Sequence, residues 1–131
     1  VLLSYHLVVV HVLSLFDGDL ELCDEILKSQ LQLYPEGAWF LYFKGRLEFT
    51  KGNLRESNAW YIKSWRSQDV WPHFHHLCFM ELMWINCLLF NWEDAYKYSD
   101  FLIKESKWSR VIYGYQKVSI LLMMDRKLTS D

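Results

Sequence analysis

Residues 51–56 read KGNLRE, a short polar break between two long apolar stretches. Glycine ends helices readily and asparagine is a favoured first residue of the next helix, so this break predicts a tight turn between two helices. A similar break, Asp17-Gly18-Asp19, places its glycine 34 residues before Gly52, and a third break follows at Asn91. Acidic side chains follow each break, as favoured at a helix N-terminus. The chain is therefore predicted to be a series of helices.

The 34-residue spacing is typical of the tetratricopeptide repeat, in which two antiparallel helices form one unit. We predict an all-α fold, an α–α superhelix of three tetratricopeptide-like hairpins followed by one unpaired helix. All of it belongs to a single repeat domain, 1–131, with repeats at about 2–35, 36–70 and 73–106 and the unpaired helix at about 109–124. The helices are predicted at about 2–15, 19–33, 38–50, 54–66, 73–89, 92–105 and 109–124.

Small or aromatic residues are expected where the two helices of a repeat cross closely. Gly45, Ser57 and Tyr61 occupy three such positions in the second repeat, and Ala95 occupies one in the third. The third break comes 38 residues after the second, so the loop around 67–71 is predicted to hold about four extra residues. Asn53, with Glu56 three residues later, has the pattern of a capping box.

Composition and charge exclude several classes of function. The chain has 14 basic and 16 acidic side chains, and no run of Lys or Arg exceeds two residues. Because nucleic-acid-binding surfaces concentrate positive charge, we expect no nucleic-acid partner. The three cysteines are an odd number, and Cys78 and Cys87 lie too far apart on one helix to form a disulfide. The number and spacing of the cysteines therefore predict free thiols, and so a reducing compartment, the cytoplasm.

The first 16 residues, VLLSYHLVVVHVLSLF, are apolar but shorter than the roughly 20 residues that span a bilayer. We therefore expect a buried core helix and no transmembrane span. The alternative is that this helix attaches the protein peripherally to an organelle membrane. Because the sequence has no initiating Met, we expect the chain to be a fragment.

The segment HFHHLC, residues 73–78, is the candidate metal site. His75 and Cys78 are three residues apart, as are His73 and His76, so each pair can share a helix face. Structural zinc needs four ligands, however, and the remaining histidines and cysteines stand singly in other helices. We expect packing or capping roles, with no metal and no other cofactor. The alternative is a metal-dependent or thiol enzyme that uses His75, His76 and Cys78.

No catalytic or nucleotide-binding motif supports an enzyme. The sequence contains no GxSxG elbow, no GxGxxG and no GxxxxGK[ST]. Carboxylate pairs such as Asp24-Glu25 stand at predicted helix starts, where capping and the helix dipole account for them. We therefore predict a non-enzymatic protein.

The predicted binding surface is the inner wall formed by the first helix of each repeat. Counting along the repeats makes this wall apolar and aromatic, with one central arginine, as suits a partner helix or an extended peptide. In the full-length chain, other repeats are an alternative occupant. The predicted groove residues are Tyr5, Trp39, Tyr42, Arg46, Phe49, Met80, Trp84 and Tyr115.

Several motifs between residues 34 and 109 resemble the tetratricopeptide repeat protein 39 family, which is similar to Iml2-type inclusion-body clearance proteins. The resemblance implies an all-α, non-enzymatic scaffold or adaptor that acts through protein contacts and is linked to lipid homeostasis. The motifs are Tyr34-Pro35-x-Gly37-Ala38-x-Phe40-Leu41, Gly45-Arg46, Lys51-Gly52-Asn53, Phe74-His75-His76-Leu77-Cys78 with Glu81-Leu82-Met83-Trp84, and Lys104-Glu105-Ser106-x-Trp108-Ser109.

Overall fold

The structure is a computed structural model that describes residues 1–16 and 18–130. Within these residues the chain forms seven helices and no strand, which confirms the predicted all-α fold. Helix α1 is continuous from 2 to 14 and contains a wider π-helical segment, Tyr5–Val10. The other six are α2 (Leu20–Leu33), α3 (Ala38–Thr50), α4 (Leu54–Arg66), α5 (Pro72–Leu88), α6 (Trp92–Glu105) and α7 (Arg110–Ser130).

Contacts divide the chain into two compact units, Val1–Asp69 and Val70–Asp131. The first unit contains α1 to α4 and the second contains α5 to α7. Only residues 51–53 separate α3 from α4, and only residues 89–91 separate α5 from α6. Such short connections make each pair a helix hairpin of the predicted kind.

One apolar cluster in the first unit joins α1, α2 and α3. Leu3 and Leu7 of α1 pack with Cys23 and Leu27 of α2 and with Leu47 of α3. Within α1 and within α2 the two residues are four apart, so they share one face of their helix. Helix α1 is therefore a core helix on one side only. The prediction of a buried helix is wrong for its other side, where Val12 and Leu13 are 58% and 79% exposed.

The α3–α4 hairpin crosses closely at Gly45, as predicted. A Cβ atom at Gly45 would lie 3.1 Å from the ring of Tyr61. The hydroxyl of Ser57 donates a 2.7 Å hydrogen bond to the carbonyl oxygen of Gly45. Another hydroxyl, that of Ser64, donates to the carbonyl oxygen of Ala38 at 2.8 Å. The serines and Tyr61 are fully buried, so small groups and short hydrogen bonds fix this crossing.

In the second unit, aromatic packing joins α5 to α6. The ring of Phe79 lies 6.0 Å from that of Tyr98 and 5.3 Å from that of Phe101, centroid to centroid. Ala95, predicted as a close-crossing residue, is fully buried. Helix α7 packs on α6, and Lys117 forms a 2.7 Å ion pair with Asp100.

The four extra residues of the third repeat lie in a helix, which corrects the predicted loop insertion. Helix α5 has 17 residues whereas α3 has 13, and residues 67–71 form an ordinary short connection. Since an α-helical turn has 3.6 residues, four added residues make about one turn and keep the helix faces nearly in register. A count of spacings alone does not distinguish these two places.

The last helix, α7, ends at Ser130 rather than near 124. The prediction ended the helix where the apolar run ends, at Met124. Asp125, Arg126 and Lys127 follow, and the arginine and lysine have high helix propensity, so the helix continues with exposed polar side chains.

Of the three predicted helix caps, the one at Asp19 is confirmed, and those at Asn53 and Asn91 are wrong because neither side chain accepts a hydrogen bond from the helix that it precedes. The carboxylate of Asp19 accepts a 2.9 Å hydrogen bond from the N–H of Leu22 at the start of α2. The side chain of Asn53 makes no such bond to α4, and its amide donates to the carboxylate of Glu48 at 2.8 Å. The capping box predicted with Glu56 is therefore wrong, because a carboxylate of the preceding helix is the partner. Asp17, the first residue of the first predicted break, lies outside the described residues.

A membrane-spanning segment must be both long and strongly apolar. None of the helices within residues 1–16 and 18–130 combines these two properties.

Candidate functional site

In the first unit, an aromatic cluster forms at the start of α3. Trp39, Tyr42 and Phe43 are three and four residues apart, so they project from one side of the helix. The ring of Trp39 lies 6.0 Å from that of Tyr42 and 6.2 Å from that of Phe43. Trp39 remains 44% exposed. An exposed indole that is braced by two neighbouring rings is a rigid apolar contact surface.

Tyr42, one of the predicted groove residues, is largely buried in the core of the hairpin. It is only 8% exposed, and its ring lies edge-on at 5.2 Å from the ring of Tyr61 on α4. The repeat count placed Tyr42 correctly on the same side as Trp39. The neighbouring helix then covers it, so Tyr42 supports Trp39 and offers little surface of its own.

Arg46 joins α3 to α1. Its Nε donates a 3.2 Å hydrogen bond to the carbonyl oxygen of Leu7, and its guanidinium lies 5.5 Å from the ring centroid of Phe49. Both side chains are half-buried. On α1, Tyr5 is 52% exposed and contacts the ring of His6 edge-on at 5.1 Å. The carbonyl oxygen of Leu7 and the ring of Phe49 thus hold the Arg46 side chain in one orientation.

The other three predicted groove residues lie in the second unit. Met80 is half-buried on α5, and Trp84, one helical turn further on, is 42% exposed. Tyr115, on α7, is 70% exposed. Seven of the eight predicted residues thus retain accessible surface, and Tyr42 does not. That all of them line one groove stays a prediction.

The histidine segment at the start of α5 does not assemble a metal site. The rings of His73 and His76 lie 5.6 Å apart, and the His76 Nε2 atom is 3.7 Å from a carboxylate oxygen of Glu105. Burial lowers the pKa of His76 despite the nearby Glu105 charge, so this contact is not an ion pair at neutral pH. In the part of the chain that the structure describes, no three His, Cys, Asp or Glu side chains are placed to hold a metal ion.

The thiols have the environment of structural cysteines. Cys23 and Cys78 are fully buried, and Cys87 is partly buried. Burial raises the pKa of Cys23 and that of Cys87, so both stay protonated at neutral pH. Since the thiolate is the nucleophile, these two side chains are poorly suited to covalent catalysis. The thiol of the enzyme alternative is that of Cys78, which is fully buried and so has no access to a substrate in this structure.

An ionic cluster between α2 and α3 was missed from the sequence. Asp24 accepts from Lys44 at 2.8 Å and from Lys28 at 2.9 Å, and Lys44 also pairs with Glu48 at 3.0 Å. The hydrogen bond from Lys44, followed by that from Lys28, holds the pKa of Asp24 at about 2. Burial lowers the pKa of Lys44, but the bonds to Asp24 and Glu48 outweigh it and raise that pKa. In the sequence, this ionic cluster is visible only as two pairs of opposite charge four residues apart, one pair on each of the two helices.

The second unit contains a comparable arrangement. Asp100 of α6 pairs with Lys104 at 2.6 Å and with Lys117 of α7 at 2.7 Å. Hydrogen bonds from these lysines lower the pKa of Asp100. Both units therefore share one arrangement. An aspartate pairs with a lysine one turn later on its own helix and also with a lysine of the next helix along the chain.

We expect Asp24→Asn to reduce the free energy of unfolding at pH 7 by about 1 kcal/mol, allowing for the 20% exposure of the side chain. The pKa of Asp24 is lower in the folded protein than its ordinary 3.8, so its contribution is present above pH 4. It is lost as the pH falls from about 4 toward 2.

Urea denaturation of wild type and Asp24→Asn at pH 7 and at pH 2.5 measures the difference in their free energies of unfolding. This difference should shrink at the lower pH. The control is Glu25→Gln, which neutralises an exposed neighbouring carboxylate and should change stability little at either pH. A difference between wild type and Asp24→Asn that is independent of pH would contradict the electrostatic cause.

Comparison with known proteins agrees with this architecture. The chain matches the Iml2/Tetratricopeptide repeat protein 39 family over residues 1–131. It is similar to Tetratricopeptide repeat protein ttc-39B of Caenorhabditis elegans, with 37% identity over 115 residues. The match covers 88% of this chain but 20% of that relative, so the chain spans about one-fifth of the relative's length. No solved structure matches the chain.

Tetratricopeptide-type repeats stack helix pairs into extended surfaces that contact other proteins, so this comparison suggests a protein-interaction scaffold. The resemblance found in the motifs between residues 34 and 109 is thus confirmed over the full sequence. By sequence and by helical architecture, the chain belongs to the Iml2/Tetratricopeptide repeat protein 39 family.

Proposed function

We propose that the protein is a non-enzymatic scaffold that binds a helix or an extended peptide of a partner protein through apolar aromatic side chains. The observation that carries this proposal is the exposure of Trp39 and Trp84, 44% and 42%, on the first helices of two successive hairpins. Tryptophan is enriched among the residues that dominate binding energy. We further propose that residues 1–131 act as one repeat domain.

The surroundings of Trp39 support a binding role over a folding role. Tyr42 and Phe43 hold the indole on one side, and Tyr61 fixes Tyr42 from the partner helix. A side chain that is already ordered loses little conformational freedom on binding. Arg46, held by the carbonyl oxygen of Leu7, adds a charged donor on the same helix.

The chemistry of the predicted groove residues supports an apolar partner segment. Phe49, Met80 and Tyr115 add further apolar and aromatic area, so the partner segment is expected to be amphipathic, with large apolar anchors. We propose an adaptor role in the cytoplasm. A link to lipid homeostasis is proposed on the family resemblance alone.

We expect the double variant Trp39→Ala, Trp84→Ala to lose bound proteins at least tenfold while it remains folded, because each tryptophan anchor typically contributes more than about 1 kcal/mol. The measurement is affinity purification with quantitative mass spectrometry on wild type and variant, with circular dichroism to verify the fold.

The matched control is Trp108→Ala, which removes a 79% exposed tryptophan outside the helices. It should retain the wild-type set of partners. Recovery of the same proteins at the same abundance by the double variant would reject the proposed anchors.

A further inference from the structure

The α3–α4 and α5–α6 turns have the same conformation but different central residues. Gly52 has a φ angle of +83° and Phe90 has one of +57°. The same two backbone hydrogen bonds close each turn: Gly52 N to Phe49 O (3.0 Å), Asn53 N to Glu48 O (2.8 Å), Phe90 N to Cys87 O (3.1 Å) and Asn91 N to Asn86 O (2.9 Å). Phe90 therefore occupies the left-handed position at which the first turn has glycine.

A bulky residue is poorly suited to this position. In the left-handed region Cβ approaches the following carbonyl oxygen, which disfavours phenylalanine by roughly tenfold relative to glycine, whereas asparagine and aspartate are tolerated. Burial does not compensate, because the side chain of Phe90 is 70% exposed. Its ring contacts only the edge of Trp92 among aromatic rings of the described residues, at 5.9 Å. Such strained residues frequently mark functional sites.

Phe90 lines a cleft of about 500 Å³ in the second unit. The cleft lies between the α5–α6 turn and the last turns of α7, and its size is within the range of ligand-binding pockets. Its walls are mostly apolar and are formed by Leu89, Phe90, Asn91, Trp92, Glu93, Met124, Lys127 and Leu128.

The lining indicates what the cleft can hold. Trp92, Met124 and Leu128 offer apolar surface, and methionine adapts its shape to different apolar groups. The two charged residues, Glu93 and Lys127, have opposite sign, so the cleft has no net charge to attract a strongly acidic or basic ligand. The ligand that suits this composition is a neutral, apolar group that is attached to a polar peptide backbone.

We propose that this cleft binds one large apolar side chain of a partner peptide, and that Phe90 is kept at the strained position because its ring forms the wall of the site. This inference rests on the proposed scaffold function and adds a site separate from Trp39 and Trp84. It also predicts that stability and binding oppose each other at this position. Glycine would give the more stable turn, whereas phenylalanine forms the wall of the cleft.

The test uses capped amino acids as probes of the full chain labelled with ¹⁵N. N-acetyl-L-phenylalaninamide and N-acetyl-L-leucinamide should shift the indole N–H resonance of Trp92 in a saturable way, and N-acetyl-L-glutamic acid amide should not. Trp92→Phe identifies that resonance. Phe90→Gly and Phe90→Asn, both compatible with the left-handed region, should weaken probe binding at least fivefold.

Stability provides the second readout. Phe90→Gly should raise the folding equilibrium constant about threefold to fivefold in urea denaturation, because the strain is relieved. The matched change in the other turn, Gly52→Ala, should lower that constant by a similar factor and leave probe binding unchanged. No side chain would contact a Cβ at Gly52, so the effect there is conformational alone.

The outcomes separate this proposal from the scaffold function. Absence of a Trp92 shift, equal probe affinity of Phe90→Gly and wild type, or lower stability of Phe90→Gly would each overturn it. The variant Trp39→Ala, Trp84→Ala should bind the probes as wild type does, so failure of those anchors leaves the cleft unaffected.

Discussion

Gly45→Leu is expected to lower the free energy of unfolding by about 3 kcal/mol. At this position a Cβ would already lie 3.1 Å from three atoms of the buried Tyr61 ring. The larger leucine side chain must separate α3 from α4. This separation would also break the 2.7 Å hydrogen bond from the Ser57 hydroxyl to the Gly45 carbonyl oxygen.

Gly45→Ala should be far milder, because one methyl group needs a shift of only a few tenths of an ångström and alanine favours the helix by about 1 kcal/mol over glycine. The measurement is urea denaturation, together with hydrogen exchange at residues 38–66. A Gly45→Leu protein as stable as wild type would show that the hairpin does not depend on this close crossing.

Gly114→Leu provides the matched control, since Gly114 is also inside a helix but no atom beyond its own helical turn lies within 4 Å of its Cβ position. The same substitution should there stabilise the protein by about 0.5–1 kcal/mol through helix propensity. Opposite signs at the two glycines would assign the effect at Gly45 to packing rather than to the backbone.

Gly18→Ala is expected to detach α1 from the first unit and to lower the free energy of unfolding by about 2 kcal/mol. A Cβ at Gly18 would lie 2.6 Å from the carbonyl oxygen of His6 and 2.8 Å from its Cβ. The contact with the carbonyl oxygen is to backbone, so no rotation of a side chain can relieve it. The shift would also lengthen the 3.2 Å hydrogen bond from the N–H of Asp19 to the His6 Nδ1 atom.

Hydrogen exchange should localise this effect, with amides of residues 5–14 exchanging at least tenfold faster and amides of α4 nearly unchanged. His6→Gly combined with Gly18→Ala should not restore stability, because the clash with the carbonyl oxygen remains. The control is Gly114→Ala, which meets open space on α7 and should leave exchange in α1 as in wild type. Unchanged exchange at residues 5–14 in Gly18→Ala would contradict the predicted detachment.

The turns and the helix periodicity predicted most of the fold. Polar breaks at Gly18, Gly52 and Asn91 separate apolar stretches whose spacing fits paired helices, and the helices begin and end close to the predicted residues. The predictions are wrong where the same residues can form either of two local structures. Four inserted residues lengthen either a loop or a helix, and polar residues after Met124 either end or continue a helix.

Candidate surface residues were predicted less completely than the helices. Periodicity correctly grouped Trp39 and Tyr42 on one side of α3, but Tyr61 buries the second of them. The Asp24–Lys44 pair joins residues 20 positions apart, and neither helix alone shows that they meet. Phe90 directly follows the predicted helix 73–89, and only its backbone angle shows that it takes the left-handed position that Gly52 has in the other turn.

The sequence by itself determined that the chain is helical, where each helix begins, and to which family it belongs, because these properties depend on local spacing and on motifs. Tertiary structure alone decided which aromatic side chains stay exposed, which charges pair, and which cleft forms beside Phe90. A helix fixes the direction of its own side chains, whereas their burial and pairing depend on how a neighbouring helix lies against them.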